Sequence, residues 1–127
     1  MKIKLRQIEH VQLVVPPGQS EAAKKFYLGV LGLEEVPMPA SFAGVVIGFW
    51  CTSNGVMVHV GEDPETKRTK AHPAFEIDDV PGVRKYLEGL GIRTKDEPLI
   101  PGRRRFSFLD PFGNRIEFLE FVSEGKP

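Results

Sequence analysis

Apolar and polar positions alternate in short runs along this chain, and the runs come in two similar sets. Residues 7–15 (QIEHVQLVV) are rich in β-branched side chains and stop at Pro16-Pro17-Gly18, the pattern of a strand and a turn. Ser20 can cap the next element, and Glu21 suits the positive end of a helix. Ala22, Ala23, Phe26, Tyr27, Val30 and Leu31 then recur at steps of three and four, which predicts an amphipathic helix ended by Gly32. Residues 33–36 read as a short strand stopped by Pro37 and Pro39. Residues 43–51 (AGVVIGFWC) and 56–60 (VMVHV) read as two more, joined by the hairpin signal Asn54-Gly55.

Residues 61–70 (GEDPETKRTK) are dense in charge, lack any apolar period and predict an exposed linker. After them the order restarts. Residues 72–77 read as a strand, Asp78-Asp79 as the cap of a helix running to Leu90 and closed by Gly91, and residues 92–95, 104–109 and 115–122 as three strands. Asp110-Pro111-Phe112-Gly113-Asn114 supplies the last turn, with Pro and Gly where a tight reversal needs them.

The predicted order is therefore β-α-β-β-β twice. His10 stands 22 residues before the helix-ending Gly32, and His72 stands 19 before Gly91; the longer Pro-Pro-Gly turn absorbs the difference. We expect an α+β fold in which two tandem βαβββ modules form a curved, barrel-like mixed sheet around a cleft. The first module spans about 7–60, the linker 61–71 and the second module about 72–122, within a single domain over 1–127. The chain's 127 residues leave no room for a second full domain.

Strand parity assigns the faces. Val11, Leu13 and Val15 oppose His10 and Gln12; Val56, Val58 and Val60 oppose Met57 and His59. Phe75 and Ile77 oppose His72, Ala74 and Glu76, and Ile116 and Phe118 oppose Arg115, Glu117 and Leu119. The apolar faces suit the helices. If the polar faces all turn inward, His10, His59, His72 and Glu117 surround one cleft. A half-solvated sheet shows water a polar face in any case, so each His also reads as an ordinary structural residue. What favours a site is position: all three His lie on polar faces, two of them at equivalent places in the repeat. Two imidazoles and a carboxylate form the facial set that holds a non-haem divalent metal with open positions.

Composition narrows the class without naming the chemistry. Hydrophobic residues make up 41% and charged residues 27%, globular values. Seventeen basic and seventeen acidic residues cancel, which argues against general nucleic-acid binding, where phosphate neutralisation dominates affinity. No apolar run is long enough for a membrane span or a secretory leader, and the single Cys51 has no internal disulfide partner. These features point to a cytoplasmic, reducing setting. Cys51 has no recognisable nucleophile context.

The residues also resemble a known family. His10-Val-Gln-Leu-Val-Val, the helix with Phe26-Tyr27 and Leu31-Gly32-Leu33, and His72-Pro-Ala-Phe-Glu-Ile look like the vicinal oxygen chelate superfamily, which includes glyoxalase I, bleomycin-resistance proteins, fosfomycin-resistance thiol transferases and extradiol dioxygenases. The most specific stretch is Phe106-Ser-Phe-Leu-Asp-Pro-Phe-Gly-Asn-Arg-Ile-Glu117. The resemblance runs from about residue 7 to residue 121 and implies a glyoxalase-like fold, a homodimer, and a divalent cation (Fe, Mn, Ni or Zn) on His10, His72 and Glu117. A fourth family ligand position, Glu in glyoxalase I, aligns with Met57, a soft thioether that cannot serve as a general base at neutral pH. In many short members the site is shared between two chains.

On this basis we expect a divalent-metal-dependent enzyme, a lyase or an oxidoreductase, that binds a small substrate through two adjacent oxygens. The alternative is a metal-independent, bleomycin-resistance-type ligand-binding protein. A thiol transferase acting on fosfomycin is a weaker rival, because the family's Thr two residues after the first His is Gln12 here. His59 is the candidate acid or base, and it equally reads as a neutral side chain packed in the cleft wall. Gln12, Met57, Arg115, Phe106 and Phe108 are the candidate pocket residues; the aromatics read equally as core. Arg103-Arg104-Arg105 suits either a phosphate or carboxylate grip or a solvated charge run, with Arg104 on the opposite face from its neighbours.

Overall fold

The computed structural model of the chain describes residues 1–66 and 69–123. Its eight strands and two helices follow the predicted order in two compact units, residues 1–67 and 68–127. Two predicted linker positions, 67 and 68, lie outside the described residues. No helix among the described residues is long and apolar enough to cross a membrane.

In the first unit β1 (His10–Val15) pairs in parallel with β4 (Val56–Glu62), which pairs antiparallel with β3 (Gly48–Ser53), and β3 with β2 (Glu34–Val36). In the second unit β5 (Ala74–Glu76) pairs in parallel with β8 (Arg115–Phe121), which pairs with β7 (Arg103–Leu109), and β7 with β6 (Thr94–Asp96). Each module thus carries its own four-stranded mixed sheet. This is the two-module, glyoxalase-like arrangement expected from the sequence, with the strands in two four-stranded sheets.

The helices cover one face of each sheet. In the first unit α1 (Ser20–Lys24) continues without a break as a π-helical stretch over Lys25–Val30, where Leu31 N–H donates to the Phe26 carbonyl five residues back. The wider turn keeps Phe26 and Tyr27 buried with Ala23 against Leu13, Val15, Phe49, Cys51, Val58 and Val60. Ser20 does not cap this helix. Its hydroxyl donates to the Glu62 carboxylate at 2.6 Å, and Gly18 N–H donates to the other oxygen at 2.8 Å. These bonds hold the Glu62 carboxyl below its usual range; pairing of Gly61 and Glu62 with Val14 and Val15 extends β4 two residues into the predicted linker.

In the second unit Asp79 caps α2 (Val80–Gly89), accepting from Gly82 N–H, while Glu120 accepts from the Asp79 and Val80 amides. Leu87 and Val80 pack with Phe106, Phe108, Ile116 and Phe118. Both helices stop at a glycine with positive φ, Gly32 at 76° and Gly91 at 83°, as the repeat requires.

Strand edges moved where pairing ran out. Residues 7–9 stand outside β1, because β1 is an edge strand whose only partner begins at the Asn54-Gly55 turn. Residues 43–47 stay outside β3, since a tight turn over Ala40–Phe42 and its hydrogen bonds to Ala43, Val45 and Val46 occupy that stretch. His72 precedes β5, with Pro73 in between unable to donate to a ladder.

Candidate functional site

The polar face of the first sheet carries a row of rings. Register places Trp50 opposite His59, His59 beside Gln12, and His10 beside Met57. The His59 imidazole lies between two other rings: its centroid is 3.9 Å from the Trp50 ring at 3° and 4.0 Å from the His10 ring at 19°. Phe42 abuts the far side of Trp50 edge-on at 5.3 Å. His59 is only 7% exposed, and its buried Nε2 has no hydrogen-bond partner among the described residues. Burial, followed by the neighbouring His10, lowers its pKa against an opposing pull from Glu9, which favours a neutral ring. His10 itself is exposed, and its Nδ1 bonds the Glu9 carboxylate. Gln12 turns its amide to the Leu13 carbonyl at 3.0 Å.

The polar face of the second sheet carries charge. Register sets Glu117 between Ala74 and Ser107. The His72 Nδ1–H donates to the Lys70 carbonyl at 2.8 Å, and Nε2 lies 3.3 Å from Glu117 Oε1. Arg105 donates to the same oxygen at 3.1 Å and anchors its other nitrogens on the Pro98 carbonyl. Beside this trio, Glu97 Oε1 accepts from Ser107 Oγ at 2.5 Å and from Arg115 at 2.6 Å. The Ser107 bond and the Arg115 charge hold the Glu97 carboxyl below its usual range despite burial. Glu97 and Glu117 are both buried carboxylates.

Each candidate can now be located. His72 and Glu117 meet, His10 and His59 meet, and Met57 shares the face of the latter pair. Arg115 lies on the charged face, already paired with Glu97. Phe106 and Phe108 are buried on the opposite, helix-covered face against Phe118, so they are core residues rather than pocket lining. Cys51 is also buried; burial and then Glu35 push its thiol up to about 11, which makes it inert. Sequence reading missed Glu9, Trp50, Glu97, Arg105 and Ser107 as parts of the two clusters.

Residues 7–118 match the model of the Glyoxalase/Bleomycin resistance protein/Dioxygenase superfamily. The chain belongs to that superfamily. A crystal structure of a glyoxalase family protein from Bacillus anthracis is similar at 34% identity and a TM-score of 0.85, over 96% of this chain and 100% of that one. A glyoxalase/dioxygenase from Nostoc punctiforme matches at 23% identity and a TM-score of 0.73, over 93% and 92% of the two chains. The fosfomycin resistance protein FosX from Listeria monocytogenes matches at 21% and 0.73, over 94% of each. No curated protein matches the sequence.

His10 and His72 of this superfamily member suit metal ligation in their chemistry. Each holds its Nδ1 on an oxygen, a carboxylate for His10 and a carbonyl for His72, which is how metal-binding imidazoles are oriented with Nε2 left for the cation. His72 Nε2 and Glu117 Oε1 lie 3.3 Å apart, two atoms of the types that ligate a divalent cation. Among the described residues no three His, Cys, Asp or Glu side chains form a metal-holding group.

Proposed function

We propose that this chain is a small-molecule metalloenzyme of its superfamily, a lyase or oxidoreductase, with a divalent cation held by His10, His72 and Glu117. The observation that carries this reading is the preparation of the donors: Nδ1 of each histidine engaged by an oxygen, and a buried carboxylate against His72 Nε2. The family habit of sharing a site between two chains offers a route for His10 to join the other two, and a homodimer is part of the proposal. When bound, such a cation acts as a Lewis acid toward two adjacent substrate oxygens.

The side chains divide the remaining work. Arg105 neutralises and orients Glu117, fixing which oxygen it presents. Its own place is set by the Pro98 carbonyl. His59, clamped between Trp50 and His10, is the acid or base of this reading. Gln12 and Met57 share that face and bound the substrate.

The row Phe42–Trp50–His59–His10 favours one second reading, a ligand-sequestering protein that stacks a planar ligand on these rings without a metal. One experiment separates the two. The full chain is purified without chelators, offered Mn, Fe, Ni and Zn in turn, and assayed for bound metal and for the shift in melting temperature. We expect about one metal per chain, lost in His72→Ala. Absence of bound metal under all four conditions overturns the enzyme reading.

A further inference from the structure

The three consecutive arginines have a use that the metal-centred reading leaves aside. A cavity of 280 Å³ opens in the second unit between the start of α2, residues 97–100 and the first residues of β7. Arg84, Arg103, Arg104 and Arg105 are among its lining residues; Val80, Leu99 and Ile100 are among its apolar walls. Glu97 is the acid among the lining residues, and Ser107 and Arg115 already occupy its Oε1.

The four guanidiniums are not equivalent. Arg84 bonds Asp96 at 2.6 Å and Thr94 at 2.8 Å. Arg104 lies 3.6 Å from Glu120, and Arg105 serves Glu117 and Pro98. Arg103 has no carboxylate partner among the described residues. Its guanidinium lies over the Phe121 ring, 5.0 Å from the centroid, and its Nε is buried without a hydrogen-bond partner. A guanidinium over an aromatic ring keeps its planar set of N–H donors for an oxyanion, and a carboxylate or phosphate fits such a fork through two parallel bonds.

From this cavity we infer a second binding site, for a small organic oxyanion: a carboxylate or phosphate group on Arg103, joined to a short apolar body against Leu99 and Ile100. The volume lies just below the range of drug-sized pockets, which limits the ligand to a few heavy atoms beyond the anion. A lone charge run in water would need neither the apolar walls nor a concavity. The site goes beyond the proposed metal chemistry and uses none of its ligands.

The test is titration of the full chain, in chelator, with benzoate, phenyl phosphate and inorganic phosphate, followed by calorimetry and amide chemical shifts. We expect saturable binding of benzoate or phenyl phosphate at roughly 0.1–1 mM, and the tighter of the two identifies the anion. Arg103→Gln should weaken it by about tenfold or more. Leu99→Glu, at a position 71% exposed and so safe for folding, should do the same by repulsion and keeps the test valid if Arg103→Gln is unstable. His72→Ala should leave binding unchanged, which separates this site from the proposed metal centre. The inference is overturned if neither organic anion saturates below about 10 mM, if both variants bind as wild type does, or if inorganic phosphate binds as tightly as phenyl phosphate.

Discussion

Replacing Arg105 with Met isolates the energetics of the charged face. In the native protein the Arg105 and Glu117 side chains are 15% and 7% exposed, with Nη1 and Oε1 3.1 Å apart. Removing one partner of a buried pair costs about 3–5 kcal/mol, because the other charge stays buried and uncompensated. His72 moderates this: its Nε2 lies 3.3 Å from the same oxygen, so the carboxylate keeps one polar side-chain neighbour. Loss of two bonds to the Pro98 carbonyl works the other way. We therefore expect Arg105→Met to destabilise the protein by about 2–4 kcal/mol at pH 7. Urea unfolding in chelator should show a lower midpoint at an unchanged slope. Removing both charges, in Arg105→Met with Glu117→Leu, should recover at least half of the loss, since the penalty belongs to the stranded carboxylate. A loss below about 1 kcal/mol, or a double variant no more stable than the single one, would refute the reasoning.

Two further outcomes follow from the same coordinates. Gly48→Ala should cost about 2–3 kcal/mol in urea unfolding, because a Cβ there would sit 2.0 Å from the Val60 carbonyl oxygen and 2.9 Å from Gly61 Cα, both backbone atoms; an unchanged midpoint would contradict this. The Glu97 carboxyl is depressed in the folded protein, so its contribution is present above its unfolded pKa and is lost as pH falls through and below that value. The stability difference between wild type and Glu97→Gln should therefore be largest at neutral pH and close in acid, and a gap independent of pH would count against it.

Much of the fold was legible because its signals are local. Glycine stops, the Asn54-Gly55 hairpin and period-two faces each concern neighbours in sequence, and the repeat supplied a second reading of each. The π-helical stretch was not legible, because Phe26 and Tyr27 satisfy a three-to-four-residue period as well as the wider turn that the structure adopts. Trp50 was within reach: a two-residue hairpin with Ser53 opposite Val56 sets Trp50 opposite His59 by counting outward from the turn. Arg105–Glu117 was within reach too, a diagonal pair of the β7–β8 ladder counted from the Asp110–Asn114 turn, whereas Glu97–Arg115 was not, since it depends on how residues 97–100 lie against β7. Phe106 and Phe108 were open to both readings, and the strand's parity decides for the core once Arg105 and Ser107 are seen to face Glu117.

In each unit the first strand has a single neighbour, and that neighbour is the last strand: β1 with β4, β5 with β8. The closing pair is parallel and joins the two ends of the segment, so neither sheet is finished until its final residues exist. During synthesis, the ladder of the amino-terminal half is complete in composition once Glu62 has emerged from the ribosome, while the chain that builds the other half is still being made. A tandem duplication thus gives the nascent polypeptide two short closure steps in place of one long one.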